Sequence, residues 1–452
     1  MQLKIPRIVL AGASSGVGKT SITCSIIYAL RKHGFSVQPF KVGPDYIDPS
    51  YLSSISKNET FNLDVWLMGK NQLLSSFISN SKSDISVIEG VMGYYDGFEG
   101  KTNYASTHHV ATLTKSPVIL VLDASKTARS IAATALGFQK FHKNSRIAGL
   151  ILNKVGSKKH ENLCREALQA TKIPIIGVIP KDPLLKLESR HLGLFSTLDN
   201  KTLYNKIQKI SKFISKNLDI DQIIKISKNT SEISSVSLSR HKRPKVTIAV
   251  ALDTSFNFYY RDNLMALERE GASLKFFSPV NDKKIPNCDG LYIGGGFPEI
   301  LGSKLAKNQT MKKLVKKLAE DNLPIYAECG GLMYLTNSIS SENKKHKMVG
   351  LFDAETLMTK KMTLNYTKGR ILPSIISERT HNLQGHEFHY SKLASVSSDS
   401  RFVYELKIGD GIKNSKDGLI QYNSLASYGH LYFDSANYAE IFIKNCMKYS
   451  RR

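Results

Sequence analysis

Residues Ile8-Val-Leu-Ala-Gly12-Ala-Ser-Ser-Gly16-Val-Gly18-Lys19-Thr20 decide the fold of the first half of the chain. An apolar run of strand formers passes into a glycine loop, and an apolar pattern with helical spacing follows. Glycines let backbone N–H groups wrap a phosphate, a lysine at position 19 neutralises the outer phosphates, and the Thr20 hydroxyl is placed to bind Mg²⁺. The strict form of this phosphate loop has glycine five residues before Gly18. Here that position is Ala13, and Gly12 lies one step further out. The strand before and helix after are as required, so Gly12, Ser15, Gly16, Gly18, Lys19 and Thr20 form the expected ATP site.

Further apolar strands are expected at Val37–Lys41, Ile85–Glu89, Val118–Asp123, Ile147–Leu152 and Ile175–Ile179, with helical patterns between most of them. Strands that are apolar throughout and alternate with helices imply a parallel sheet covered on both faces. In such a sheet the loops that follow successive strands gather at one edge, beside the phosphate loop. Two of them supply the carboxylates that a magnesium–triphosphate site needs. Lys41-Val-Gly-Pro-Asp45-Tyr-Ile-Asp48-Pro and Ile88-Glu89-Gly-Val-Met-Gly-Tyr-Tyr-Asp96-Gly make Asp45 and Glu89 candidate metal ligands, with Asp48 and Asp96 assisting the metal or orienting a substrate.

The second half turns on Leu323-Pro-Ile-Tyr-Ala-Glu-Cys329-Gly-Gly-Leu-Met-Tyr-Leu335. A strand ends at Glu328, two glycines follow Cys329, and a helical pattern begins. That strand–turn–helix elbow exposes a nucleophile and aims a helix N-terminus at it. Upstream, Leu291-Tyr-Ile-Gly-Gly-Gly-Phe-Pro-Glu299 is another strand running into glycines and a second wall for the same pocket. The rival reading of Cys329, a buried thiol in a tight turn, lacks a reason for glycine on both walls. A thiolate needs a base, and among twelve histidines His430 is favoured by its position before the last helix, ahead of His386 and His389.

The bulk numbers bound these readings. The chain has 452 residues, 41% hydrophobic and 22% charged, which suits two or three globular domains. No apolar run reaches the eighteen or so residues of a membrane span. Five scattered cysteines without a Cys-x-x-Cys pair argue against a disulfide framework or a zinc site and fit a reducing cytoplasm. The net charge of +25 comes from 63 Lys and Arg against 38 Asp and Glu, spread along the chain. Such spread favours a lysine-rich composition and anionic small substrates over nucleic acid. The expected domains are 1–200, a helical connector and linker over 201–243, and 244–452, where strands near 246–251, 273–277, 290–293 and 324–327 precede shorter-period β text and a helix from Ser435 to Lys448.

Read together, the phosphate loop, the two carboxylate loops with Asp45 and Glu89, Arg190-His191-Leu-Gly-Leu, Gly-Gly-Gly-Phe-Pro-Glu, the Cys329 elbow and Gly385-His-Glu-Phe-His-Tyr resemble cobyrinic acid a,c-diamide synthase, in that family's order, from residue 7 to about 433. The resemblance implies an α/β protein of two parts. The first resembles dethiobiotin synthetase, whose phosphate loop has the same shifted glycine; the second resembles the cobalamin-pathway type of class I glutamine amidotransferase. It implies MgATP-dependent phosphorylation of the a- and c-acetate groups of a corrinoid polycarboxylate, and ammonia released from glutamine by Cys329. His430 would be the base, and the N–H groups of Gly296 and Gly330 the oxyanion hole. Tyr46, Asp48, Asp96, Arg190 and His191 match segments around the substrate carboxylates. Other amidotransferases of the class carry a glutamate two residues after the histidine; here Tyr432 stands there, so the resemblance supports no full Cys–His–Glu triad. Relatives that amidate nickel sirohydrochlorin or hydrogenobyrinic acid share the motifs at the ATP and glutamine sites, so those motifs do not separate the substrates. A partitioning-type ATPase would match only the first half and carries a lysine where this chain has Ala13 and Ser14. No membrane or nucleic-acid partner is expected, and a homodimer is the candidate assembly.

Overall fold

The computed structural model describes residues 2–185, 201–234, 242–341 and 344–451. The chain forms two compact units, Met1–Leu238 and Ser239–Arg452.

In the first unit seven parallel strands lie in the order Phe61–Leu63, Val37–Val42, Ile85–Glu89, Arg7–Gly12, Val118–Asp123, Ile147–Val155 and Ile175–Pro180. The expected strands are all present. Phe61–Leu63 was not anticipated, because three residues are too few to carry a period. Arg7–Gly12 is buried at every position, as a strand covered on both faces must be. It lies between strands reached in opposite directions along the sheet, and its carboxyl end is the switch point where an open α/β sheet leaves a crevice. The phosphate loop sits at that end.

Residues 201–228, expected as a connector, belong to this unit's core. Helices Lys201–Ser215 and Ile220–Lys228 bury Leu203, Ile207, Ile210, Ile214, Ile220, Ile223 and Ile226 against Ile22, Ile26 and Leu30 of the helix Lys19–Lys32 and against Ile151 and Ile176 of the sheet. A lysine/isoleucine periodicity announces an amphipathic helix but not which surface it covers. Ile223→Ala is therefore expected to cost about 2–5 kcal/mol, the cost of emptying a core position. Urea unfolding followed by Trp66, the one tryptophan of the sequence and buried in the same unit, checks this. A connector helix would lose less than about 1 kcal/mol.

The second unit holds parallel strands in the order Ala272–Phe277, Val246–Ala251, Gly290–Ile293, Ile325–Glu328 and Ser424–Ser427. The sheet continues through antiparallel Lys416–Gln421 and Arg401–Ile408 to a long hairpin, Phe352–Ile371 with His381–Ala394. The short strand His430–Leu431 pairs with Gly385–His386 of that hairpin. The last helix runs Tyr438–Ser450, preceded by a 3₁₀ turn at Phe433–Ser435, so it starts three residues later than Ser435.

Candidate active site

In the first unit Gly18 stands at φ 94°, immediately before the helix Lys19–Lys32, and a Cβ there would fall 2.5 Å from Asn153 Nδ2. Only glycine serves at that point. Lys19 Nζ donates to Met92 O at 2.6 Å and Ser14 O at 3.3 Å, so the loop after Ile85–Glu89 folds against the phosphate loop. Thr20 Oγ1 donates to Glu89 Oε1 at 2.9 Å. Asp96 Oδ2 accepts from Gly93 N at 2.8 Å, while Ser15 and Gly16 are exposed on the loop.

Asp45, Asp48 and Glu89 meet through Lys41, whose place in the sequence, at the end of an apolar strand, gives no sign of this role. Lys41 is 2% exposed, and its Nζ contacts Asp48 Oδ2 at 2.6 Å, Glu89 Oε1 at 2.8 Å and Asp45 Oδ2 at 3.6 Å. Burial would lower the Lys41 pKa, but the three carboxylates outweigh it and hold it well above the ordinary value. Burial pushes Glu89 up to about 7 and Asp45 up to about 6, whereas Lys41 overcomes burial at Asp48 and lowers it. Tyr46 precedes the helix Ile47–Ser56 that carries Asp48. From the strand Ile147–Val155, Asn153 Nδ2 donates to Val17 O at 2.7 Å and Lys154 Nζ to Gly16 O at 3.2 Å and Asp123 Oδ2 at 2.6 Å. Their place at the end of a strand on the crowded sheet edge was the available signal. Arg190 and His191 lie outside the described residues.

Beside this loop is a cavity of about 360 Å³ lined by Ala13, Tyr95, Asp96, Thr134, Phe138 and Phe141. Tyr95 stacks on Phe138 at 5.7 Å, and Phe141 is 73% exposed. An aromatic wall thus adjoins the phosphate loop on the side of Asp96.

Among the described residues, no three His, Cys, Asp or Glu side chains form a metal cage. Magnesium at a nucleotide uses one or two carboxylates with phosphate and water, so this is no obstacle. Glu89 Oε2 is buried, and no N–H or O–H donor among the described residues reaches it. A buried carboxylate oxygen in that state, next to the Thr20 hydroxyl, fits a divalent cation.

In the second unit Cys329 stands at φ 46°, ψ −100° between Ile325–Glu328 and the helix Gly330–Leu335. This strained elbow is held by Cys329 N donating to Ser427 O at 2.7 Å. The thiol is buried and lies 3.4 Å from Phe388 O. Burial pushes its pKa far up, Glu299 and Glu328 add to this, and the N–H groups of Gly330 and Gly296 act in the opposite direction. Gly296 is at φ 148°, and a Cβ there would fall 2.1 Å from Ser255 O. A Cβ on Gly295 would fall 2.7 Å from His430 Cε1, and one on Gly330 2.9 Å from Gly296 N. The glycine run after Gly290–Ile293 therefore touches both the elbow and the His430 ring.

His430 is fully buried, its Nδ1 3.3 Å from Glu328 Oε2. Its ring stacks on His386 at 4.9 Å, and Tyr260 Oη lies 2.5 Å from His386 Nε2. Burial first, then His430, holds His386 well below the usual imidazole pKa. His389 instead stacks on Tyr428 at 3.8 Å and places Nδ1 2.7 Å from Ser391 O. Tyr432, at the position where the triad glutamate is usual, bonds Asp262.

Residues 8–195 match the CobQ/CobB/MinD/ParA nucleotide binding domain, and residues 247–438 match the CobB/CobQ-like glutamine amidotransferase domain. Among curated proteins the chain is 39% identical to the cobyrinate a,c-diamide synthase of Methanosarcina barkeri, covering 95% of this chain and 93% of that one. It is 42% identical to the one from Dehalococcoides mccartyi, covering 95% and 96%, and 41% identical to the one from Picrophilus torridus, covering 98% and 99%. The chain belongs to the cobyrinate a,c-diamide synthase family of glutamine-dependent amidotransferase ligases.

Proposed function

We propose that the chain uses ATP and glutamine to amidate the a- and c-acetate carboxylates of cobyrinic acid through acyl phosphates. The observation that carries this is the Cys329 elbow, with the Gly296 and Gly330 N–H groups against its sulfur. A thiol whose pKa is pushed far up by burial is protonated at rest, so a base must take its proton as it attacks. His430 takes it while Sγ adds to the glutamine carboxamide carbon, and the Gly296 and Gly330 N–H groups receive the developing oxyanion. His430 then returns the proton to the departing nitrogen, leaving ammonia and a glutamyl thioester that water hydrolyses.

In the first unit, a substrate carboxylate attacks the terminal phosphorus of ATP and ADP leaves. Ammonia then displaces phosphate from the mixed anhydride to give the amide. Lys19 and Lys41 face the charge that develops on the transferring phosphoryl group, and Asp48 and Asp96 orient the acceptor side. Thr20, Asp45 and Glu89 would hold Mg²⁺, which neutralises phosphate charge when bound. The aromatic cavity next to Ala13 and Asp96 suits one edge of a large apolar ring whose carboxylate must reach the phosphate loop.

Nickel sirohydrochlorin and hydrogenobyrinic acid are the alternative acceptors, since nothing at the ATP or glutamine residues distinguishes them. Incubating the protein with MgATP, glutamine and each macrocycle, followed by mass spectrometry, tests the reading. Two amidations on cobyrinic acid are expected; amidation of another ring only, or of none, overturns it.

A further inference from the structure

We infer that Glu328 is the positioning carboxylate for His430, replacing the glutamate that the chain lacks two residues after the histidine. The inference rests on the glutaminase reading of Cys329 and His430. Glu328 is the last residue of the strand Ile325–Glu328 and is 1% exposed. A carboxylate in such a place persists only if its oxygens are hydrogen-bonded. Glu328 Oε1 accepts from Tyr326 Oη at 2.7 Å and Leu431 N at 3.1 Å; Oε2 accepts from Tyr292 Oη at 3.0 Å and faces His430 Nδ1 at 3.3 Å.

These contacts do two things to the histidine. Leu431 N, the next residue's amide, ties the His430 backbone to the same carboxylate that meets its ring. A carboxylate oxygen facing Nδ1 favours the tautomer with the proton on Nδ1, so that Nε2 is the basic nitrogen of the ring. When Nε2 gains the thiol proton, the adjacent carboxylate stabilises the imidazolium. His386 lies flat against the ring, and Tyr432 bonds Asp262. The residue before the nucleophile thus reaches back across the sheet to orient the base, 102 residues away in sequence.

The test compares Glu328→Gln, Tyr292→Phe and Cys329→Ala in the full chain, each assayed with glutamine and with ammonium chloride. Glu328→Gln keeps the shape and removes the charge. A fall of about tenfold or more in the glutamine-dependent rate is expected, as when an orienting carboxylate is neutralised. The ammonium-dependent rate should hold, and the acid limb of the glutaminase pH profile should move to lower pH, because the carboxylate charge facing Nδ1 is gone. Tyr292→Phe frees Oε2 from one competing donor, so its acid limb should move the opposite way. Shifts of opposite sign are not produced by a merely structural residue. An unchanged glutamine rate, or a loss that falls equally on both nitrogen donors with no shift in either profile, overturns the inference. If Glu328→Gln does not fold, an unmoved limb in Tyr292→Phe overturns it by itself. Should Cys329→Ala retain glutamine-dependent activity, the underlying glutaminase reading fails instead.

Discussion

Cys329→Ala is expected to lower glutamine-dependent amidation by roughly 10⁴-fold or more, the scale on which a covalent nucleophile is lost, while ammonium salts still support the reaction. The division follows from where the atoms lie. Cys329, Gly296, Gly330 and His430 all belong to Ser239–Arg452, and the phosphate loop with Lys41 and Glu89 belongs to Met1–Leu238. Removing one sulfur leaves the second set intact. The substitution is also mild in packing, since alanine retains the Cβ in a site already closed by Ser427 O and Phe388 O. Its one conformational demand, φ 46° at a non-glycine residue, is unchanged from cysteine. Amidation with each nitrogen source, measured by product mass, reads both numbers from one preparation. A variant that still draws nitrogen from glutamine would show that another group attacks the carboxamide. One that loses both reactions would show that the elbow holds up more than its own chemistry.

Much of this was legible in the sequence, and the gaps have physical causes. The buried strands announced themselves because both faces are covered and every position is apolar. Cys329 and the phosphate loop were readable because a strand, glycines and a helix in succession describe a turn locally, without reference to the rest of the chain. Lys41 was harder. It sits in a strand, where lysine ordinarily signals an exposed edge, and its burial makes sense only once Asp45 and Asp48 from the stretch that follows it and Glu89 from another strand are gathered around it. Glu328 was missed for a related reason. A search for the partner of His430 by sequence offset arrives at Tyr432, yet pairing across the sheet brings the carboxylate from the strand beside Ser424–Ser427. The helices of 201–228 show the same limit: periodicity gives a face, and only the tertiary fold says what the face meets.

Lys41→Met should remove amidation with either nitrogen source, by about 10²–10³-fold, the range seen when one preorganised charge at a reacting centre is lost. It should also destabilise the first unit. Breaking a buried ion cluster from one side leaves uncompensated charge and costs about 3–5 kcal/mol. Here the cost depends on pH with a definite sign. Burial already holds Glu89 at about 7 and Asp45 at about 6 with Lys41 in place, both above ordinary carboxylates. A carboxylate with a raised folded-state pKa contributes stability at low pH and loses it as pH rises through the folded value. Without the ammonium both groups resist ionisation further, so the part of the deficit that Glu89 and Asp45 carry should be small near pH 5 and grow through pH 6 to 8, on top of a part from Asp48 that is already present at pH 5. Asp48 runs the other way in the wild type, because Lys41 lowers it, and that contribution, present above the ordinary carboxylate range, disappears with the lysine. Urea unfolding followed by Trp66 at three pH values separates the cases. A deficit that does not vary with pH would mean that methionine is failing to fill the space, rather than that Asp45, Asp48 and Glu89 have lost their counter-charge.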